Sequence, residues 1–181
     1  MRSMRALRWI AVNAVAVIAI SGTALAGGGP TTQQVSGTFS GTTVSDHPVL
    51  CTGLDGHYVD DHSVSQGTVQ SSDPRLSGNF VDHTRALINL DTGIGRAVGH
   101  IVVRDPNTGK LKVTFTIYAV GQGQPDGGAT LKGMEIGTLA DGSRLFANST
   151  TTAFPDGTFT GEFGGSPGPT DLAVVQKGSC R

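Results

Sequence analysis

The chain has 181 residues, 27 of them glycine, with 37% hydrophobic and 15% charged side chains and a formal net charge of −1. That length is one domain's worth. A mildly acidic chain without basic runs lacks the phosphate-neutralising surface on which nucleic-acid binding rests, so that class of partner is excluded.

Residues 1–26 read as an export signal peptide. Arg2, Arg5 and Arg8 form a basic start, Trp9 to Ile20 is an apolar core interrupted by Asn13, and Ala24-Leu25-Ala26 is a small-x-small cleavage site before Gly27. The apolar core is shorter than the ~20 residues of a membrane span. Cleavage leaves about 155 residues and a charge of about −4, because three of the 13 basic residues depart. The product is expected to be secreted or periplasmic, with no membrane association after cleavage. Residues 27–34, GGGPTTQQ, read as a flexible leader, and 35–181 as the folded domain. An exported chain meets an oxidising compartment, so Cys51 and Cys180 are expected to form a disulfide. The long loop it closes would be worth up to ~5 kcal/mol by chain entropy. Two free thiols are the alternative.

The first predicted strand, Val35 to Val44, is rich in Thr, Val and Phe. Asp46-His47-Pro48 is expected to break it, and a second strand to begin at His57 and run, with a bulge, towards Val69. Ser71-Ser72-Asp73-Pro74 is a turn, because Asp-Pro favours turn initiation. Leu76 to Leu90 is read as one strand with a possible bulge at Gly78, its inward face carrying Phe80, Thr84, Ala86, Ile88 and Leu90. Val81, His83, Arg85 and Asn89 then fall outside.

The strongest signal is the hairpin from Ile94 to Gly121. Val113, Phe115, Ile117 and Ala119 alternate with Lys112, Thr114, Thr116 and Tyr118, which gives one face to a core and the other to solvent. Asp105-Pro106-Asn107-Thr108-Gly109 supplies the turn. On the preceding strand the small face of Gly95, Ala97, Gly99, Ile101 and Val103 fits the crowded interior of a narrow barrel, leaving Arg96, His100 and Arg104 outside. The reverse parity would line a cavity with Arg96 and His100 and favour an anion.

Ala129 to Leu139, Ser143 to Phe154, Thr158 to Phe163 and Asp171 to Gln176 complete the strands. Phe159 and Phe163 share a face with Gly161 between them. The phrase GTFSG at 37 to 41 returns as GTFTG at 157 to 161, which reads as shared strand chemistry. Eight or nine strands with short connections and no helical periodicity predict an all-β fold, a single antiparallel up-and-down barrel. A two-sheet sandwich is the alternative.

Asp73-Pro74-Arg75-Leu76-Ser77-Gly78, then Gly93-Ile94-Gly95-Arg96-Ala97-Val98-Gly99-His100 and the hairpin, resemble exported bacterial proteins of unknown role with a small β-barrel. Their layout is similar to allene oxide cyclase and dirigent-type barrels. The resemblance covers roughly Thr68 to Gly164 and rests on glycine and turn punctuation. It implies the fold, and it carries no catalytic residue over.

No nucleophile elbow or phosphate loop is present, and no cofactor is implied. Asp55, His57, Asp60, Asp61 and His62 are acceptable metal-ligand types, but an extended strand divides them between two faces, so they read as a solvated polar segment. Lone His83 and His100 read as surface groups. Glu162 points to water. Glu135 is harder to place: burial preference puts Met134 and Ile136 inward and Glu135 outward, whereas Gly133 and Gly137 on its own face would leave room for a carboxylate in the lumen. There, desolvation would raise its pKa and fit it for acid–base chemistry or a polar ligand group.

The function expected on these grounds is a secreted barrel that binds a small apolar molecule or a partner surface, with Glu135, Phe115, Ile117, Phe159 and Phe163 as candidate lining residues. A cyclase or isomerase using Glu135 is one alternative, and a structural protein with a filled core is another.

Overall fold

The structure, a computed structural model, describes residues 34–164. The expected export signal, the expected leader up to position 33, the strand expected at Asp171 to Gln176, and Cys180 lie outside the described residues. Eight strands follow one another: β1 (Ser36–Gly53), β2 (Gly56–Ser71), β3 (Gly78–Asn89), β4 (Ile94–Arg104), β5 (Leu111–Gly123), β6 (Ala129–Leu139), β7 (Arg144–Ala153) and β8 (Thr158–Gly164). Each pairs antiparallel with the next, and β8 pairs back onto β1, so the sheet closes into an up-and-down barrel.

Phenylalanine and glycine set the closure. Five phenylalanines face the lumen, and each stands directly across from a glycine of a neighbouring strand: Phe39 from Gly161, Phe159 from Gly41 and Phe163 from Gly37, Phe80 from Gly67, and Phe115 from Gly137. A Cβ at Gly137 would come within 2.7 Å of the Phe115 ring. A narrow barrel has no room for two large side chains at one level, so the ring of one strand lies over the bare backbone of the next. The repeated phrases GTFSG and GTFTG thus interlock at the seam between β1 and β8.

One end of the barrel is plugged. The turn between β2 and β3 folds Leu76 inward, where it is 1% exposed beside the buried Val103, Val113 and Leu139. Asp73 holds that turn by accepting from the Arg75 backbone N–H at 2.9 Å and from its guanidinium. Lys112 Nζ adds bonds to the carbonyls of Pro74 and Ser77 at 3.0 and 2.7 Å. The motif Asp73 to Gly78 is therefore a stopper. Sequence places Leu76 in a strand; it lies before β3 because it serves as this plug. Gly78 is not a bulge but a close approach, since a Cβ there would strike the Arg104 carbonyl.

Asp46-His47-Pro48 does not end β1, which continues to Gly53. β8 covers β1 only from Ser36 to Thr42, so beyond that point one edge of β1 is unpaired and the missing N–H of Pro48 costs no ladder bond. The expected bulge is on β1 rather than β2, between Thr43 and Ser45. Parity on β4 and β5 is as the sequence predicts. On β3 the expected inward face holds for Phe80 and Thr84, while Leu90 leaves the strand and is exposed. The outer face is not uniformly wet: Tyr58, Asp60, Leu87 and Asn89, opposed in pairs across β2 and β3, are all buried there.

Candidate functional site

Above the plug the lumen encloses a cavity of about 190 Å³. All five residues named from sequence as lining candidates, Phe115, Ile117, Phe159, Phe163 and Glu135, border it. Phe39, Phe80, Ile101 and Leu131 add to an apolar wall. The rings of Phe39 and Phe80 tilt against Phe159 at centroid distances of 6.4 and 6.2 Å, a favoured edge-to-face range.

Glu135 is inward and 5% exposed, which corrects the outward placement drawn from burial preference. Register decides the matter. Glu135 lies opposite Ile117 on β5 and Ala147 on β7, and its neighbours Gly133 and Gly137 oppose Ala119 and Phe115. Had Met134 and Ile136 pointed inward, their bulk would have occupied the level that Phe115 fills.

A second acid, not anticipated from sequence, joins it. Asp82 borders the cavity from β3. Its parity with Phe80 and Thr84 is the signal that could have found it. Asp82 Oδ2 accepts from Thr84 Oγ1 at 2.8 Å, whereas Oδ1 is buried with no hydrogen-bond partner. Burial pushes Asp82 up from the usual carboxylate range; the Thr84 hydroxyl and the charges of His83 and His100 oppose that rise. Burial also raises Glu135, to about 7, against the Ser149 hydroxyl that bonds it, and the charge of Asp82 adds to the rise. The lumen thus holds two carboxyl groups whose charged forms burial disfavours.

Two glycines let the polar side chains of this site lie against bare backbone. A Cβ at Gly99 would stand 2.7 Å from Thr84 Oγ1 and 3.0 Å from Asp82 Oδ1, and one at Gly133 would stand 2.9 Å from Ser149 Oγ. Ser63, Ser65 and Thr151 supply further hydroxyl oxygens to the wall.

The polar segment of β2 does not gather into one site. His57 pairs with Asp91 at 3.2 Å, Asp61 accepts from the His47 backbone N–H, and Tyr58 Oη donates to Asp55 at 2.7 Å. Asp60 is held below its usual range by its hydrogen bonds from Arg85. No cluster of three or more His, Cys, Asp or Glu suited to a metal occurs among the described residues. His83 and His100 stand opposite one another on the outer face of β3 and β4, exposed, as does Arg96. No protein family, no curated protein and no solved structure matches this chain.

Proposed function

We propose that this protein is an exported barrel that takes up one small, largely apolar molecule in its lumen. The observation that carries this reading is the cavity of about 190 Å³ inside the ring of phenylalanines. Apolar cavities of ~150 Å³ in other proteins bind benzene, while pockets for drug-sized ligands begin near ~300 Å³. The volume therefore favours a compact ligand of about one ring. It also favours binding over a purely structural role, for which the lumen would be filled.

Export rests on the basic and apolar pattern of residues 1–26. The proposed Cys51 to Cys180 bridge belongs with it: Cys51 stands opposite Tyr58 on the outer face of the β1 and β2 pair, and no cysteine is free among the described residues. A free life after export is supported by the polarity of the wall. Thr68, Ser40, Thr160, Thr152 and Thr130 form a lateral row of outward hydroxyls across five strands, while outward apolar side chains such as Val98, Tyr118 and Phe146 stand elsewhere on the wall, on β4, β5 and β7. A membrane-spanning barrel carries an apolar band around its whole circumference, which this row of hydroxyls interrupts.

The test is native mass spectrometry of protein recovered gently from its export compartment, followed by thermal shifts with single-ring apolar probes such as toluene and indole. A bound small molecule, or a rise in Tm that the lumen-filling variant Ala119→Phe abolishes, supports the reading. No bound species and no probe-induced shift overturns it. A second reading, a cyclase or isomerase of the allene oxide cyclase-like type, is favoured by one specific observation: Glu135 is buried in an apolar chamber with a pKa of about 7, the value suited to a general acid or base at neutral pH.

A further inference from the structure

Resting on that lumen-binding reading, we infer that the ligand is a small apolar amine, bound as its ammonium ion between Asp82 and Glu135. The wall of the cavity carries two carboxyl groups and no Lys, Arg or His. A carboxylate or phosphate ligand would enter a chamber of its own sign with no counter-charge, at short range and low dielectric, where like charges repel most strongly.

Asp82 Oδ1 is an acceptor with its place for a donor empty. Buried polar atoms of this kind are nearly always paired, so an unpaired one on a residue that borders a cavity marks where a ligand donor belongs. An ammonium brings three donors. Asp82 and Glu135 can accept two, and the hydroxyl oxygens of Ser63, Ser65 or Thr84 on the same wall can accept the third. Gly99 and Gly133 carry no side chain to displace Asp82, Thr84 and Ser149 from these positions. A neutral alcohol supplies one donor and relieves none of the repulsion between the two acids. A cation relieves it completely, because both can then ionise. A hard divalent metal is a poor fit, since calcium takes six to eight oxygens and most of this wall is carbon.

Proton linkage follows from the same geometry. The groups facing Glu135 and Asp82 from β2, β4, β5 and β7 are Ser63, Ser65, Gly99, Ile101, Ile117, Ala147 and Ser149, none of which titrates in the working range. The two acids are each other's ionisable neighbour in the lumen, with His83 and His100 acting on Asp82 from outside. Amine binding must expel the proton the empty pair holds, so affinity rises with pH through the range in which that proton is lost.

The experiment is calorimetric titration of the purified protein with three probes of one shape, benzylamine, benzyl alcohol and benzoate, at pH 5.5 and 7.5. Benzylamine is expected to bind at least tenfold tighter than the alcohol at pH 7.5, to lose about tenfold at pH 5.5, and benzoate not to bind. Glu135→Gln and Asp82→Asn, both nearly isosteric, should each weaken the amine at least tenfold while leaving the alcohol within threefold. Equal binding of amine and alcohol, any preference for benzoate, or an amine affinity unchanged in both variants overturns the inference and leaves lumen binding standing. Binding of none of the three by the wild-type protein overturns lumen binding itself.

Discussion

Phe39 lies over Gly161 across the seam where β1 meets β8, and a Cβ at position 161 would overlap its ring. Two effects compete in Gly161→Ala. Alanine in a strand gains roughly 0.5–1 kcal/mol over glycine in backbone entropy, whereas forcing a methyl into a packed core costs about 1–3 kcal/mol. The second is larger here because the obstacle is an aromatic ring between two strands. Urea denaturation should show a net loss of at least about 1 kcal/mol, and a stabilised variant would mean the ring has somewhere else to go.

Phe115 is 4% exposed and lies in the cluster above the plug, whereas Tyr118 on the same strand faces out. Phe115→Ala should cost roughly 3–5 kcal/mol and Tyr118→Ala under about 1 kcal/mol. Denaturant midpoints of the pair check the strand's parity directly, and similar losses for both would refute it.

Glu135 makes stability depend on pH in an unusual sense. Its pKa is raised from 4.5 to about 7 on folding, so the folded state binds the proton more tightly than the unfolded one. The resulting stabilisation is complete below pH 4.5 and is lost as pH rises through about 7. The shift corresponds to about 3 kcal/mol. Thermal melts of the empty protein should therefore give a lower Tm at pH 8 than at pH 5.5, and Glu135→Gln, which never ionises, should flatten that slope. A wild-type Tm that climbs between pH 5.5 and 8 would show that Glu135 is not held protonated.

Asp73 works in the opposite direction. Hydrogen bonds from the Arg75 guanidinium and backbone hold its carboxylate below the usual range, so the stability it contributes is present above the ordinary carboxylate pKa and fades as pH falls through the folded one. Asp73→Asn should cost about 2 kcal/mol by weakening charge-assisted bonds, and should loosen the Leu76 plug. Faster amide exchange at Leu76, whose N–H is bonded to the Asp73 carbonyl, is the readout; unchanged protection would place the hold on the turn elsewhere, at Lys112.

What sequence reveals about this barrel follows the strength of each strand's alternation. β4 and β5 are legible because small or apolar residues occupy every second position. β6 defeats the same method because its inward face reads Gly133, Glu135, Gly137, and the burial preference of a carboxylate outweighs the two glycines. The rule that places small residues inside on β4 would have given β6 correctly. Asp82 escapes notice because the apolar members of its own face, Phe80, Ala86 and Ile88, draw attention, although its parity alone assigns it to the lumen. The length of β1 is illegible for a different reason: Pro48 breaks a strand only where a ladder bond is required, and whether an edge is paired is a property of the closed sheet.

Seven of the eight strand pairings join consecutive strands, and one does not. The seam sets Ser36–Thr42 against Thr158–Gly164, nearly the whole described chain apart. Hairpins can form locally and fast, but this last contact closes a loop of more than a hundred residues and carries its entropy. Until it zips, Phe39, Phe159 and Phe163 have no glycines to lie over, and the chamber has no third wall. The lumen therefore has no closed wall before the seam forms. The cavity and the finished fold arise in the same event.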